Sequence, residues 1–389
     1  MEKTFDNTQT AFSLKSDTEL DRAYFLFKMI ASQPLVRIGT AVTSFALKAN
    51  LPVEGLIRAT VFDHFCGGTT EEDCLSVVER MYAEGGVSSV LDYSVEAKED
   101  ELEFEKALEK TLKTIVFAKE KKAIPFAVFK PTGFGRFELY EKLGENKALN
   151  EEEISEWDRV VERFEKVCKL AHEYDVALLI DAEESWMQDA ADDLVTKMMQ
   201  KYNKEKVVVF NTLQMYRWDR LDYLKKLHDQ AKEEGFYIGM KVVRGAYMEK
   251  ENKRAEEKGY TSPICVSKEA TDINYDEAIA YMASNIDQMA IFAGTHNEES
   301  SYKLMRIMAD NNIAKNDERV WFGQLYGMSD NISFNLAESS YNVAKYLPFG
   351  PVKDVMPYLI RRAEENTSVA GQTNRELNLI GAERKRRKV

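Results

Sequence analysis

Eight short, nearly continuous apolar runs, each followed by a stretch with helical spacing, leave few folds open to the chain between residues 85 and 366. The runs cover 87–93, 123–130, 176–180, 207–210, 237–243, 289–292, 320–324 and 342–346. Strands of a parallel sheet are covered on both faces, so they read as unbroken apolar runs, whereas strands of a half-exposed antiparallel sheet alternate. Regular alternation of strand and helix predicts a parallel α/β architecture, and eight repeats allow the sheet to close with no edge left to protect. An open doubly wound sheet is the competing arrangement. It calls for a glycine-rich phosphate loop after an early strand, and the first unit offers Asp92-Tyr93-Ser94-Val95 instead. The expected fold is therefore a (β/α)8 TIM barrel preceded by a helical segment.

Residues 1–84 read as that helical segment, packing on the barrel. Tyr24, Phe25, Phe27 and Met29 fall in one helical stretch and Phe45, Ala46 and Leu47 in another. A further helix ends at Gly67-Gly68 and restarts at Thr69-Thr70-Glu71-Glu72, where acidic first-turn residues suit a helix N-terminus. Residues 367–389 form a C-terminal extension in which Leu377, Leu379 and Ile380 can close a helix against the body. Its basic run, Arg384 to Lys388, reads either as a lipid-facing patch or as a disordered solubilising tail.

Charge and cysteine content narrow the function classes. With 66 acidic against 53 basic side chains the net charge is -13, which argues against a general nucleic-acid surface. Cys66, Cys74, Cys168 and Cys265 show neither disulfide density nor metal-ligand spacing, so a reduced intracellular, cytoplasmic protein without a metal site is expected. The N-terminus carries no evident targeting pattern, and no run reaches the roughly 18 apolar residues of a membrane-spanning helix. Peripheral attachment to the inner face of a membrane stays open.

In a barrel of this kind the strand C-termini line one mouth. There the sequence places Lys130, Asp181, Gln214, Lys241, Arg244, Tyr247, Thr295, His296, Gln324 and Tyr346. Any one of them can be a satisfied structural pair; ten on one rim point to a ligand site. Lys130, Lys241, Arg244, Arg361 and Arg362 supply cations for a phosphate-bearing cofactor and a substrate carboxylate. Near the end of the chain, Pro348 and Pro351 frame the start of a helix that carries Tyr358, Arg361, Arg362 and Glu365 along one broad face. Paired guanidinium forks suit a small carboxylate, although Arg-Arg followed by Glu-Glu also fits a surface ion-pair network.

Six motifs in order resemble the flavin-dependent proline dehydrogenases. They are Asp63-His64-Phe65-Cys66-Gly67-Gly68, Ile180-Asp181-Ala182-Glu183-Glu184, Val243-Arg244-Gly245-Ala246-Tyr247, Gly294-Thr295-His296-Asn297, Gln324-Leu325-Tyr326-Gly327-Met328 and 358–366. The first motif and the length look like the single-function, eukaryotic-like branch. The resemblance implies a distorted (β/α)8 barrel, noncovalent FAD, and oxidation of L-proline to Δ1-pyrroline-5-carboxylate with electrons passed to a membrane quinone.

By resemblance, Arg361, Arg362 and Lys130 contact the substrate carboxylate, Leu325, Tyr247, Tyr346 and Tyr358 enclose the pyrrolidine ring, and Asp181 and Glu365 orient these groups. Gln214, Lys241, Arg244, Gly245, Ala246, Tyr247, Met248, Thr295, His296, Asn297 and Gln324 form the implied flavin site. Lys241 stands where bifunctional relatives have arginine, and Met248 where they have an aromatic residue. The implied chemistry is hydride transfer from proline C5 to flavin N5, with no side chain serving as a dedicated base. Two other readings are a hydroxyproline dehydrogenase, disfavoured by the bulk of Tyr346, and a flavin- or amino-acid-binding module without turnover.

Overall fold

Eight parallel strands follow one another in chain order around a closed barrel in the structure, a computed structural model. It describes residues 4–32, 34–36, 39–41, 53–94, 100–368 and 370–389, without the side chains of 56, 59 and 363–372. The strands are β1 (Ser88–Tyr93), β2 (Phe126–Phe129), β3 (Ala177–Ile180), β4 (Val209–Gln214), β5 (Ile238–Val243), β6 (Met289–Gly294), β7 (Val320–Leu325) and β8 (Val343–Phe349). Each apolar run of the sequence supplies one of them. The second helical stretch expected around Phe45, Ala46 and Leu47 lies outside the described residues.

Two compact units divide the chain: Met1–Glu96 with Gly323–Val389, and Ala97–Phe322. In the second unit β2 to β6 pair in parallel register. Phe126 of β2 meets the rings of Phe210 on β4 and Phe292 on β6 edge to face, at 5.9 and 5.2 Å between centroids. Side chains from alternate strands thus fill one layer of the interior, as the pleat of a tilted barrel requires. The long helix Glu151–Tyr174 in this unit begins with a capping box between Asn150 and Glu153.

In the first unit β1 pairs with β8. The helix Glu71–Gly85 starts where the acidic turn predicts it, with a capping box between Thr70 and Asp73, and Gly86 closes it in the left-handed region. The helix Asp17–Ile30 packs Leu20, Ala23 and Phe27 against Leu379 and Ile380 of the last helix, Ala370–Arg387.

Three expectations are corrected here. The fourth strand does not stop at Phe210 but runs to Gln214, because its polar residues find partners: Asn211 donates to Asp192 and Thr212 to the Ile180 carbonyl. Pro348 does not frame a helix; it lies inside β8, where its carbonyl accepts the Gly67 N–H at 2.9 Å. The helix begins only at Met356, after a turn in which the Pro351 carbonyl accepts from Asp354 and Val355.

The basic C-terminal run is not a disordered tail. It is helical up to Arg387, and its arginines are engaged: Arg384 donates to Asp21, Arg386 to Glu383, and Arg387 to Glu383 and to the Phe12 and Lys15 carbonyls. Glu383 is fully buried, so removing Arg387 leaves its carboxylate with one arginine partner, Arg386, instead of two, and takes the donor from two carbonyls. Arg387→Ala is expected to lower stability by about 1–3 kcal/mol in urea unfolding, while exposed Lys385→Ala changes it by less than about 0.5 kcal/mol. Equal effects of the two substitutions would contradict this assignment.

Candidate active site

The polar ends of β2, β3 and β5 in the second unit meet at one carboxylate. Asp181 immediately follows β3; its Oδ2 accepts from Lys130 Nζ, just past β2, at 3.3 Å, and its Oδ1 accepts from Lys241 Nζ of β5. Lys241 is buried while Lys130 is more open, with its side chain 39% exposed. Burial alone would raise the Asp181 carboxyl, but Lys241 and Lys130 outweigh it and hold it below the ordinary carboxylate value. Two ammonium groups against one carboxylate leave one net positive charge in this group.

A second carboxylate fixes the loop that carries Lys130. Glu183, buried two residues beyond Asp181, accepts the backbone N–H of Thr132 at 3.0 Å and its hydroxyl at 2.8 Å. Burial pushes the Glu183 carboxyl up to about 7, against the pull of Thr132 and Lys130. The Glu183 carbonyl accepts Gln214 Nε2 at 2.6 Å, and Gln214 Oε1 in turn accepts the Ala246 N–H at 3.2 Å. Gln214 therefore ties the end of β3 to the segment after β5.

That segment, Arg244-Gly245-Ala246-Tyr247, has a backbone only glycine can adopt. Gly245 has φ 134°, and a Cβ there would lie 2.5 Å from the Tyr216 ring. Arg244 donates to Asp272 at 2.6 Å, to Thr295 Oγ1 at 2.8 Å and to Ser300 Oγ at 3.0 Å, with its guanidinium 4.5 Å from the Tyr275 ring centroid. Burial would raise the Asp272 carboxyl, but Lys268 and Arg244 bring it below its ordinary value. Thr295 Oγ1 accepts the Asn297 N–H, and Asn297 caps the helix Glu298–Asp310 through Glu299 and Ser300. His296 is half-buried between them, Tyr247 precedes the helix Met248–Lys258, and Met248 is half-exposed.

In the first unit, Gln324 of β7 accepts from Ser333 Oγ at 2.9 Å. Leu325 and Tyr358 both pack on a buried cluster that includes Phe62, Phe65, Met328 and Leu359. The guanidinium of Arg362 sits 5.3 Å from the Tyr358 ring centroid, and Arg361 and Arg362 are both half-buried. Tyr346 is buried on β8. The side chain of Glu365 lies outside the described residues.

Asp272, Thr132 and Lys345 stand outside the residues that the sequence motifs mark and are brought in by the fold. Asp272 pairs with Lys268 four residues before it, an ordinary helix pattern, while Thr132 carries no local signal, since its partner Glu183 lies 51 residues on. Lys345 had one: a lysine inside an apolar strand run demands a buried counter-charge. Among the described residues no group of three or more His, Cys, Asp or Glu side chains is placed to hold a metal ion. No helix of the described residues is long and apolar enough to cross a membrane.

A closed parallel barrel whose polar strand ends gather lysine, arginine and carboxylate groups defines a (β/α)8 enzyme. The family model described as proline dehydrogenase matches residues 74–375. The chain is 37% identical, over 93% of its length and 94% of the relative's, to the "Carbapenem antibiotics biosynthesis protein CarD" of Pectobacterium carotovorum subsp. carotovorum. It is 31% identical to "Proline dehydrogenase 1, mitochondrial" of Arabidopsis thaliana, over 97% of this chain and 85% of that one. With the human protein of the same name it shares 40% identity over 61% of its own length and 40% of the relative's. The chain belongs to the proline dehydrogenase family.

Among solved structures, proline utilization A from Bdellovibrio bacteriovorus, described as inactivated by N-propargylglycine, matches with a TM-score of 0.72 at 21% identity over 92% of this chain. This chain spans 38% of that one, and the likeness supports the fold.

The raised Glu183 carboxyl makes stability depend on pH in a defined direction. The folded state keeps its proton to about 7 while the ordinary value is 4.5, so the unfolded chain binds fewer protons in that window and stability falls as pH rises through it. Glu183→Gln removes this dependence. Its stability relative to the parent should improve by roughly 1–3 kcal/mol between acidic and alkaline buffer in urea unfolding, with a constant difference refuting the assignment.

Proposed function

We propose that this enzyme oxidises L-proline to Δ1-pyrroline-5-carboxylate with FAD as its cofactor and a quinone as the electron acceptor. The observation that carries the reading is the family match across 74–375 on a chain that has half-buried Arg361 and Arg362 on the helix after β8. Bound FAD supplies the acceptor for the hydride that leaves proline C5.

The chain fits such a cofactor on chemical grounds. Gly245 packs its backbone against the Tyr216 ring, which holds the segment 244–247 in place, and Arg244, Lys241 and Thr295 are assigned as cations and a hydroxyl for a diphosphate-bearing group, with Asp272 and Asp181 fixing the two cations. Gln214, Ala246, Tyr247, Met248, His296, Asn297 and Gln324 complete the assigned flavin residues.

Arg361 and Arg362 are assigned to the substrate carboxylate, a role Lys130 shares. Guanidinium forks bind a carboxylate in a fixed plane, and this plane sets which ring carbon faces the acceptor. Leu325, Tyr247, Tyr346 and Tyr358 are assigned to the ring, where they exclude water from the reacting carbon. Glu365 and Asp181 orient the cations; Asp181, already held anionic by two lysines, is poorly suited to accept a proton. Cations close to the substrate disfavour the protonated amine, so the proton leaves to solvent and the nitrogen lone pair is free to form the C=N bond. We assign 1–84 and 367–389 to support of the barrel, 85–366.

Anaerobic L-proline is expected to bleach the flavin absorbance of the purified protein; a flavoprotein whose spectrum ignores proline would refute the assignment. Arg361→Ala and Arg362→Ala are each expected to raise KM for proline roughly 10- to 100-fold, the cost of one charge-assisted pair. Tyr346→Ser should improve kcat/KM for hydroxyproline relative to proline by about tenfold, and an unchanged ratio would remove Tyr346 from the ring wall.

A further inference from the structure

The turn that leaves β7, Leu325-Tyr326-Gly327-Met328, has its carbonyls held from two sides by buried donors. Lys345 Nζ, on a side chain 1% exposed, donates to the Met328 carbonyl at 2.7 Å and to that of Leu325 at 3.4 Å. His64 Nε2–H donates to the Gly327 carbonyl at 3.0 Å. Because a carbonyl only accepts, this bond fixes the ring nitrogen that carries the proton. The turn itself has little freedom: Gly327 has φ 79°, and a Cβ there would lie 2.4 Å from the His64 carbonyl oxygen. Tyr326 N–H donates to the Tyr346 carbonyl at 2.8 Å.

The cost of this arrangement argues that it does more than fill space. Lys345 needs Asp330, whose Oδ1 it meets at 2.8 Å, and Asp330 needs Lys15, at 3.1 Å from Oδ2. A buried ion triad is commonly matched or exceeded in stability by apolar residues of the same volume, so packing alone gives weak reason for a lysine here. What the lysine adds is a donor reaching the carbonyls on either side of Gly327. Lys345 and Tyr346 are successive residues of β8, so one strand grips the turn both by a side chain and by its main chain.

We propose that Lys345 and His64 are positioning residues for substrate selection: by holding the carbonyls of 325–328 they fix the Leu325 side chain, and with it the discrimination between proline and ring-substituted analogues. The inference rests on the proposed place of Leu325 in the wall around the pyrrolidine ring. Loss of either donor frees the turn to shift, which widens the space beside the ring without removing any group that binds the carboxylate. The signature is therefore a change in selectivity, with KM for proline moving more than kcat.

The test compares kcat/KM for L-proline and trans-4-hydroxy-L-proline in the parent, Lys345→Met, His64→Phe, Leu325→Ala and Glu376→Gln. Glu376 accepts the Ser329 N–H in the same buried network, and its carboxylate is not one of the donors that hold the three carbonyls. Lys345→Met and His64→Phe are expected to lower the proline-to-hydroxyproline ratio about tenfold, in the same direction as Leu325→Ala, whereas Glu376→Gln shifts the melting temperature and leaves the ratio within about twofold. If Lys345→Met does not fold, His64→Phe decides alone. A shifted ratio in Leu325→Ala with parental ratios in the folded donor variants overturns the clamp and keeps the ring-wall reading. An unchanged ratio in Leu325→Ala overturns both, and a parent enzyme that does not oxidise proline overturns the function on which they rest.

Discussion

A carboxylate taken out of water at the end of a barrel strand must be compensated where it stands, and Asp181 is compensated by Lys241 of β5 and by Lys130, just past β2. A buried, uncompensated charge costs several kcal/mol, so the ends of β2, β3 and β5 are held together by more than their ladders. The surplus of one cation follows from the same arithmetic. It is a local surplus, set within a chain whose total charge is acidic. Glu183 shows the converse: with its two donors from neutral Thr132, burial dominates and the carboxyl keeps its proton to about 7.

The first unit repeats this solution with the signs distributed differently. Asp330 lies between Lys15 and Lys345, and burial, which alone would raise it, is outweighed by the two ammonium groups. Here the lysines come from the N-terminal segment and from β8. His64 stays uncharged beside them, its value pushed down to about 3 by burial and by Lys15, and is thereby kept as a plain donor to the Gly327 carbonyl. A histidine in a motif close to a proposed active site invites an acid-base role; its surroundings remove that role and leave a structural hydrogen bond.

The order of strands and helices was legible from apolar runs and their spacing because burial on both faces writes itself directly into sequence. Strand ends were less legible. Asn211 and Thr212 look like loop residues until Asp192 and the Ile180 carbonyl are seen to satisfy them, and Pro348 looks like a breaker until its carbonyl is found bonded to Gly67. The basic run at 384–388 read as a tail because its partners, Asp21 and the Phe12 and Lys15 carbonyls, lie at the other end of the chain. Chemical type was readable from one position; pairing over hundreds of residues was not. Arg244 shows the same over shorter separations: its charge suggested a phosphate, while its anchoring to Asp272, 28 residues on, and to Ser300, 56 residues on, needed the fold.

A net charge of -13 sits uneasily with a reaction whose proposed substrate is held by its carboxylate and whose proposed cofactor carries two phosphates. The conflict is resolved by distance. Proline reaches the protein as a zwitterion with no net charge, so the field of the whole chain neither repels nor steers it, and salt screens that field beyond about 8–10 Å. Within a hydrogen bond's length the balance reverses, because guanidinium and ammonium groups there act through less water. The same local cations that favour the carboxylate oppose a charge on the neighbouring amine. On the proposed reading, one electrostatic feature both binds the substrate carboxylate and brings its nitrogen toward the neutral form, so that the proposed chemistry calls for no dedicated base.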